Sequence, residues 1–338
     1  MSKLILSLDG GGIRGAASTQ FLTLVEEKLQ KEHGKSLRDC VDFYAGTSTG
    51  CIIALALATT DMSMAEINNL YNEANAKKIF TENKGLFEVD GLNAPKYEAK
   101  DKTKVLRDNF AQAKIGDVAK NKHVLAITYD IEKRKPVVIK STKPSYLKTL
   151  SYKAADTSSA APTFFPTKNI NFPPDSDESW LIDGGVIANN PAMCAIAEAK
   201  RAWQIPLEKI RVLSVGTGFM TRKINGPASQ KWGGLQWMLK GQIMEILSDE
   251  RIVAYQCLTL MAPGSYIRVN AKLMKQPGLP TPPDDAMDDI SKTNLKRLRL
   301  LGEMWFKQYG DATISLLLNT YQGKSLDRID PKTGKPIS

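Results

Sequence analysis

An α/β fold with a mainly parallel central sheet is the class this sequence predicts, and three observations lead to it. Short apolar runs of strand length alternate with longer stretches of helical period. Three of the runs end in glycine-rich turns. The order strand, turn, helix, strand, turn, helix near the start is that of right-handed βαβ units, which build parallel sheets.

The elements follow in order. "KLILSL" (3–8) reads as a buried strand, and a helical pattern from about Ala16 to Glu32 is ended by Gly34. A second strand, about Val41 to Ala45, runs into "GTSTGCIIALALA", whose small residues continue as a helix. Residues 62–80 are helical, with Ser63 and Glu66 spaced as a capping box. Residues 81–100 are polar and turn-rich, as a mobile surface segment is; with Phe80, Phe87 and Tyr97 they form either a lid at a lipid interface or a loop without function. "KHVLAITYD" (122–130) and "KPVVIK" (135–140) read as paired strands, and "WLIDGG" (180–185) as a strand entering a turn. "NPAMCAIAEAKRAW" (190–203) is a helix with proline near its start, and "KIRVLSVGTG" (209–218) a further buried strand. Beyond Gly218, "GLQWMLKGQIMEILSDERIVAYQCLTLM" and "DDISKTNLKRLRLLGEMWFKQY" read as two helices divided by "KQPGLPTPPDD". No linker-like composition separates the core (3–218) from this helical extension (219–338), so one domain over 1–338 is expected.

The formal net charge of +10 favours an anionic partner. The basic residues are dispersed and no RNA-binding signature accompanies them, which argues against a nucleic acid polymer and leaves a membrane surface. Cys40, Cys51, Cys194 and Cys257 show no C-x-x-C spacing and sit in apolar contexts, as reduced buried thiols do. The apolar run at 4–8 is too short for a signal-peptide core, and Cys51 to Ala58 too short to span a bilayer. A soluble cytoplasmic protein that rests peripherally on a membrane is the expectation.

Candidate chemistry lies in three turns, where open α/β sheets place their sites. Asp9-Gly10-Gly11-Gly12-Ile13-Arg14-Gly15 opens a helix with backbone N–H groups that can approach a negative ligand closely. It also fits G-x-G-x-x-G, but the second strand ends without the carboxylate a dinucleotide fold needs. Gly46-Thr47-Ser48-Thr49-Gly50 is a G-x-S-x-G turn between strand and helix, the context that exposes a nucleophilic serine; a plain helix cap at Ser48 is the alternative. Asp183-Gly184-Gly185 is by itself an ordinary turn. Together they offer a serine, a carboxylate and an oxyanion hole of backbone amides. The two histidines, His33 and His123, read as surface residues, which leaves no histidine base. An aspartate serves as base only when shielded from water, and Trp180 and Phe164 are the apolar neighbours available in sequence.

These turns resemble those of the patatin-like phospholipases. "DGGGIRG", "GTSTG", "SSAAPTFFP" (158–166) and "DGGVIANNPA" (183–192) occur in that family's order, and "VLSVGTG" (212–218) and "YIRVNAKL" are similar to family segments. The resemblance covers residues 4–218 well and the remainder more loosely. It implies a three-layer patatin-like fold and a Ser–Asp dyad, with Ser48 as nucleophile, Asp183 as base and an oxyanion hole from Gly10, Gly11 and Gly12. The activity implied is phospholipase A-type hydrolysis of membrane glycerophospholipids through an acyl-enzyme, with no metal or other cofactor. Arg14 is the candidate contact to the lipid phosphate, or else the partner of a nearby carboxylate; Phe164 and Phe165 either line the acyl channel or belong to the core. Bacterial members include antiphage effectors switched on by cyclic nucleotides, so such an activator is a candidate partner. Asp156 departs from the family, many members of which carry a basic residue before the "SSAAP" run. A soluble-ester hydrolase or thioesterase, and a non-catalytic storage or binding protein of the same fold, are the alternatives.

Overall fold

A computed structural model describes residues 2–83, 94–172, 178–240, 246 and 249–338. Its centre is a mixed sheet of eight strands. Strands β1 (Lys3–Leu8), β2 (Phe43–Thr47), β3 (His123–Asp130), β7 (Ile210–Val215) and β8 (Tyr266–Val269) form a parallel block in the order β3-β2-β1-β7-β8. The antiparallel strands are β4 (Lys135–Lys140) and β6 (Glu178–Asp183) on β3, and β5 (Lys168–Asn171) on β6. Central strands buried on both faces read as continuous apolar runs, as "KLILSL" does.

Helices cover both faces, giving three layers. On one face lie α1 (Gly15–His33), α3 (Thr49–Thr59) and the long helix Lys292–Leu317; on the other lie α9 (Ala192–Trp203) and the helix Arg251–Leu260. The long helix crosses α1 closely because Gly302 has no side chain: a Cβ there would sit 2.6 Å from the Ala17 carbonyl oxygen. Helix α2 (Leu37–Cys40) lies between α1 and β2.

Gly34 ends α1 in the left-handed region, at φ 61°, as expected. The expected helix over 62–80 breaks in two. The Ser63–Glu66 capping box starts α4 (Met64–Asn69), and Asn72 caps a separate α5 (Glu73–Ile79). Helices α6 (Ala99–Phe110) and α7 (Ser151–Ser158) precede β3 and β5. The C-terminal extension is not purely helical: "YIRV" is β8, the edge of the parallel block. The lid expected over 81–100 falls largely on residues 84–93, outside the described residues. Part of the first C-terminal helix does too; its described parts are Gly234–Leu239 and Arg251–Leu260. Among the described residues no helix is long and apolar enough to cross a membrane. The cysteines are free, with three of them buried and Cys194 partly so.

One feature of the sheet places the site. Residue Thr128 of β3 pairs with Val137 of β4 and with Asp183 of β6, so these two strands take opposite edges of β3. Ile127 likewise pairs with Val138 and with Thr47 of β2. Strands β2 and β6 therefore share one edge and meet end to end there. The residue that follows β2 is Ser48, and the residue that ends β6 is Asp183.

Candidate active site

Ser48 turns the chain from β2 into α3 with φ 53° and ψ −122°, a strained conformation for any residue with a side chain. Its flanking glycines are required by space. A Cβ on Gly46 would lie 2.3 Å from the Gly50 carbonyl oxygen, and one on Gly50 2.1 Å from that of Leu8. The serine hydroxyl does not cap α3. It donates instead to Asp183 Oδ2 at 2.6 Å, while the Ser48 N–H donates to Ser158 Oγ at 3.0 Å. Ser158 in turn donates to the Ile127 carbonyl at 2.6 Å, which fixes its hydroxyl as an acceptor for Ser48.

Asp183 is held from its other side by the Gly185 N–H, which donates to Oδ1 at 2.7 Å. Helix α8 (Gly185–Ala188) begins there, and Gly184 lets the chain pass: a Cβ would sit 2.3 Å from the Ile127 carbonyl. Burial pushes the carboxyl up to about 6, against the opposing pull of Ser48, Gly185 and Lys102. Shielding was anticipated from Phe164 and Trp180. Phe164 lines the same cavity as Asp183, but Trp180 stands an odd number of residues away on β6 and projects from the opposite face of the sheet.

The glycine loop leaves β1 beside this pair. The Gly10 N–H donates to the Asn189 carbonyl at 3.1 Å, so it is not open to a ligand. Among the described residues no acceptor takes the N–H of Gly11 or Gly12. Thr217 Oγ1 donates to the Gly10 carbonyl at 2.8 Å, and Arg14 Nε to that of Gly11 at 3.4 Å. Arg14 thus braces the loop. Gly12 has φ 57°, and a Cβ on it would lie 2.2 Å from the Met287 carbonyl oxygen; that carbonyl accepts the Ile13 N–H at 2.9 Å. Below the loop, Asp9 is paired with the buried Arg268, to which no local sequence pattern links it.

Ser48 and Asp183 open onto a cavity of about 840 Å³, mouth included, whose walls include Ile52, Phe80, Leu106, Phe164, Phe165 and Met287. Phe164 and Phe165 thus both stand in the wall of this cavity. Phe80 packs edge-on against Tyr97 with ring centres 5.2 Å apart, and Tyr97 and Lys96 both bind Asp288, at 2.6 and 2.7 Å. Asp156 does not face the cavity as a lone carboxylate. It pairs with Lys102 at 3.2 Å and Lys168 at 2.7 Å, and accepts from Thr103 Oγ1 at 2.6 Å. Burial pushes Asp156 up, but the two lysines overrule it and hold the carboxyl below its usual range.

The histidines stand apart. His33 is exposed, whereas His123 is half-buried rather than on the surface, its ring 5.5 Å from that of Trp203 and 5.7 Å from that of Phe43. His123 pairs with Phe43 at the start of β2, the end of the strand opposite Ser48. Among the described residues no cluster of His, Cys and carboxylates is arranged to hold a metal ion. Sequence reading missed Ser158, Lys102 and Asn189 as parts of the site. For Lys102 there was a signal: it lies three and four positions before Val105 and Leu106, on the apolar stripe of α6.

Fold and site together define a three-layer α/β protein with a serine on a glycine-flanked turn facing a buried aspartate above an apolar cavity. The model of the patatin-like phospholipase family matches residues 6–196, and the chain belongs to that family. Patatin-like protein 3 of Arabidopsis thaliana is 32% identical over 90% of this chain and 80% of its own length. Patatin-like protein 2 of Oryza sativa subsp. indica is 27% identical over 98% of this chain and 86% of its own. VipD from Legionella pneumophila, a solved structure, aligns with a TM-score of 0.45 at 12% identity, over 95% of this chain and 67% of that one. Membership makes the protein a patatin-family lipid hydrolase, an esterase or phospholipase.

Proposed function

We propose that the protein is a phospholipase A-type acyl hydrolase of membrane glycerophospholipids, working through a Ser48–Asp183 dyad. The 2.6 Å hydrogen bond from Ser48 Oγ to the buried Asp183 carboxylate carries this reading. Asp183 takes the hydroxyl proton as Oγ attacks the ester carbonyl carbon. The negative charge that develops on the carbonyl oxygen is received by the N–H groups of Gly11 and Gly12. The intermediate collapses to an acyl-serine, and the departing alkoxide takes the proton from Asp183. Water then gives a proton to Asp183 and attacks the acyl carbon; the C–Oγ bond breaks, the fatty acid leaves, and Ser48 takes the proton back from Asp183. A carboxyl raised to about 6 is better matched to proton transfer near neutral pH than one at 3.8.

The apolar cavity suits the acyl chain, and the net charge of +10 suits an anionic bilayer. Arg14, held on the loop that carries Gly11 and Gly12, is the candidate to meet the lipid phosphate at the mouth. No step runs through a metal, so hydrolysis in EDTA is expected to persist.

A fluorophosphonate probe tests the nucleophile: it is expected to label the native chain and not Ser48→Ala. Equal labelling of both removes Ser48 from the mechanism. Comparing hydrolysis of phospholipid vesicles with that of a short monomeric ester, with and without cyclic nucleotides, tests substrate and activator. Activity confined to the monomeric ester selects a soluble-ester hydrolase instead.

A further inference from the structure

We infer that Lys102 is a positioning residue for the dyad, acting from α6 through the turn that ends α7. The inference rests on Ser48 and Asp183 being the reacting pair. Lys102 is 2% exposed, and its Nζ donates to the Ser159 carbonyl at 2.7 Å, to Ser159 Oγ at 3.1 Å and to the Asp156 carbonyl at 3.2 Å. Those carbonyls lie at the C-terminal end of α7, where a helix leaves acceptors without partners and favours a cation. The ammonium also lies 4.4 Å from the centre of the Phe165 ring in the cavity wall. A lysine is rarely buried to this degree without a counter-charge, and Asp156 supplies it at 3.2 Å.

The turn that Lys102 fastens touches both members of the dyad. Ser158 Oγ accepts the Ser48 N–H at 3.0 Å, the Ala160 carbonyl accepts the Asp183 N–H at 3.0 Å, and the Ser158 carbonyl accepts the Gly184 N–H at 3.4 Å. A shift in residues 158–160 therefore moves nucleophile and base relative to each other. Misplacement by about 1 Å can cost on the order of 10²-fold in rate. The carboxylate at Asp156 fits this arrangement, since it faces Lys102 from α6 and Lys168 from β5.

Lys102 also bears on Asp183 by charge. Around Asp183 stand Ser48 from the β2–α3 turn, the Gly185 N–H from α8 and Lys102 from α6; around Lys102 stand Asp156 from α7 and Lys168 from β5. Removing the ammonium leaves Asp183 with a greater hold on its proton. The Asp156 charge supports that of Lys102 against its burial.

The test uses the full chain with a monomeric ester, counting active sites by fluorophosphonate labelling. Lys102→Met keeps the length of the side chain and removes the charge. It is expected to lower kcat per labelled site at least about tenfold and to move the acid limb of the kcat profile to higher pH. Asp156→Asn leaves the ammonium without its counter-charge; it is expected to lower kcat per labelled site as well, and it carries the test where Lys102→Met does not fold. Lost thermal stability with kcat per site and both limbs unchanged shows a merely structural lysine and overturns the inference. Asp183→Asn separates the two readings: native activity in that variant refutes the dyad itself, whereas its inactivity beside a Lys102→Met chain with native kcat per site and native pH profile refutes only the positioning role.

Discussion

Two aspartates in this chain begin the same tripeptide, Asp-Gly-Gly, each at the end of a strand and each almost wholly buried: Asp9 after β1 and Asp183 closing β6. Their partners differ. Asp9 accepts from both terminal nitrogens of the Arg268 guanidinium, from Nη1 at 2.9 Å; the same guanidinium also bonds Ser214 Oγ at 2.9 Å and lies 3.3 Å from Glu250. Burial holds Asp9 above its usual range even against the guanidinium, but both of its oxygens are locked in a fixed ion pair. Among the described residues Asp183 is bonded by a hydroxyl and one backbone N–H. It too is raised by burial, and its direct partner is a hydroxyl that can give up a proton. Equal motifs thus yield an anchor for a loop in one place and a candidate base in the other, and the neighbour contributed by a distant strand decides which.

The largest effect expected from this contrast is at Asp183. Asp183→Asn should lower hydrolysis by roughly 10⁴-fold, as loss of the orienting carboxylate does in serine hydrolases. The same variant should be more stable than the native chain at neutral pH. The unfolded chain releases this proton near 3.8 and the folded one near 6, so stability is lost as pH rises between those values. Two pH units correspond to roughly 3 kcal/mol at most, read by urea melts at pH 7. A destabilised variant would contradict the assigned burial cost.

Asp9→Asn should show the opposite pattern. Leaving Arg268 without its main partner is expected to cost about 3–5 kcal/mol in a urea melt, while the folded fraction keeps the acid limb of the native chain. A third check is that limb itself. The rate with a monomeric ester should fall about tenfold per pH unit below an apparent pKa of about 6. A limb near 4 would contradict the burial of Asp183 and remove it as the base. The smallest effect is at His123. His123→Ala should leave hydrolysis within about twofold and cost about 0.5–1.5 kcal/mol from its contacts with Phe43 and Trp203. Inactivity of this variant would reopen the search for the base.

Much of the layout was legible in residue order. Alternating strand and helix periods gave the parallel block, and glycines marked the three turns at positions where a Cβ has no room, as at Gly46, Gly50 and Gly184. Other features were hidden for identifiable reasons. The break between α4 and α5 was hidden by an apolar period that continues across it. The strand character of "YIRV" was hidden by its short length. Of the three loop glycines, Gly10 looked no different from Gly11 and Gly12, because its engagement by Asn189 joins positions 179 residues apart.

The sequence by itself determined the chemistry on offer: a serine between glycines, two Asp-Gly-Gly turns, and no histidine near either. Local backbone sterics and residue type are enough for that. Only the tertiary structure decided which carboxylate meets the serine. Strands β2 and β6 share one edge of β3, which brings Ser48 and Asp183 together across 135 residues, while β8 delivers Arg268 to Asp9 across 259. Strand pairing is set by packing of whole layers, and no local pattern around either aspartate encodes its partner.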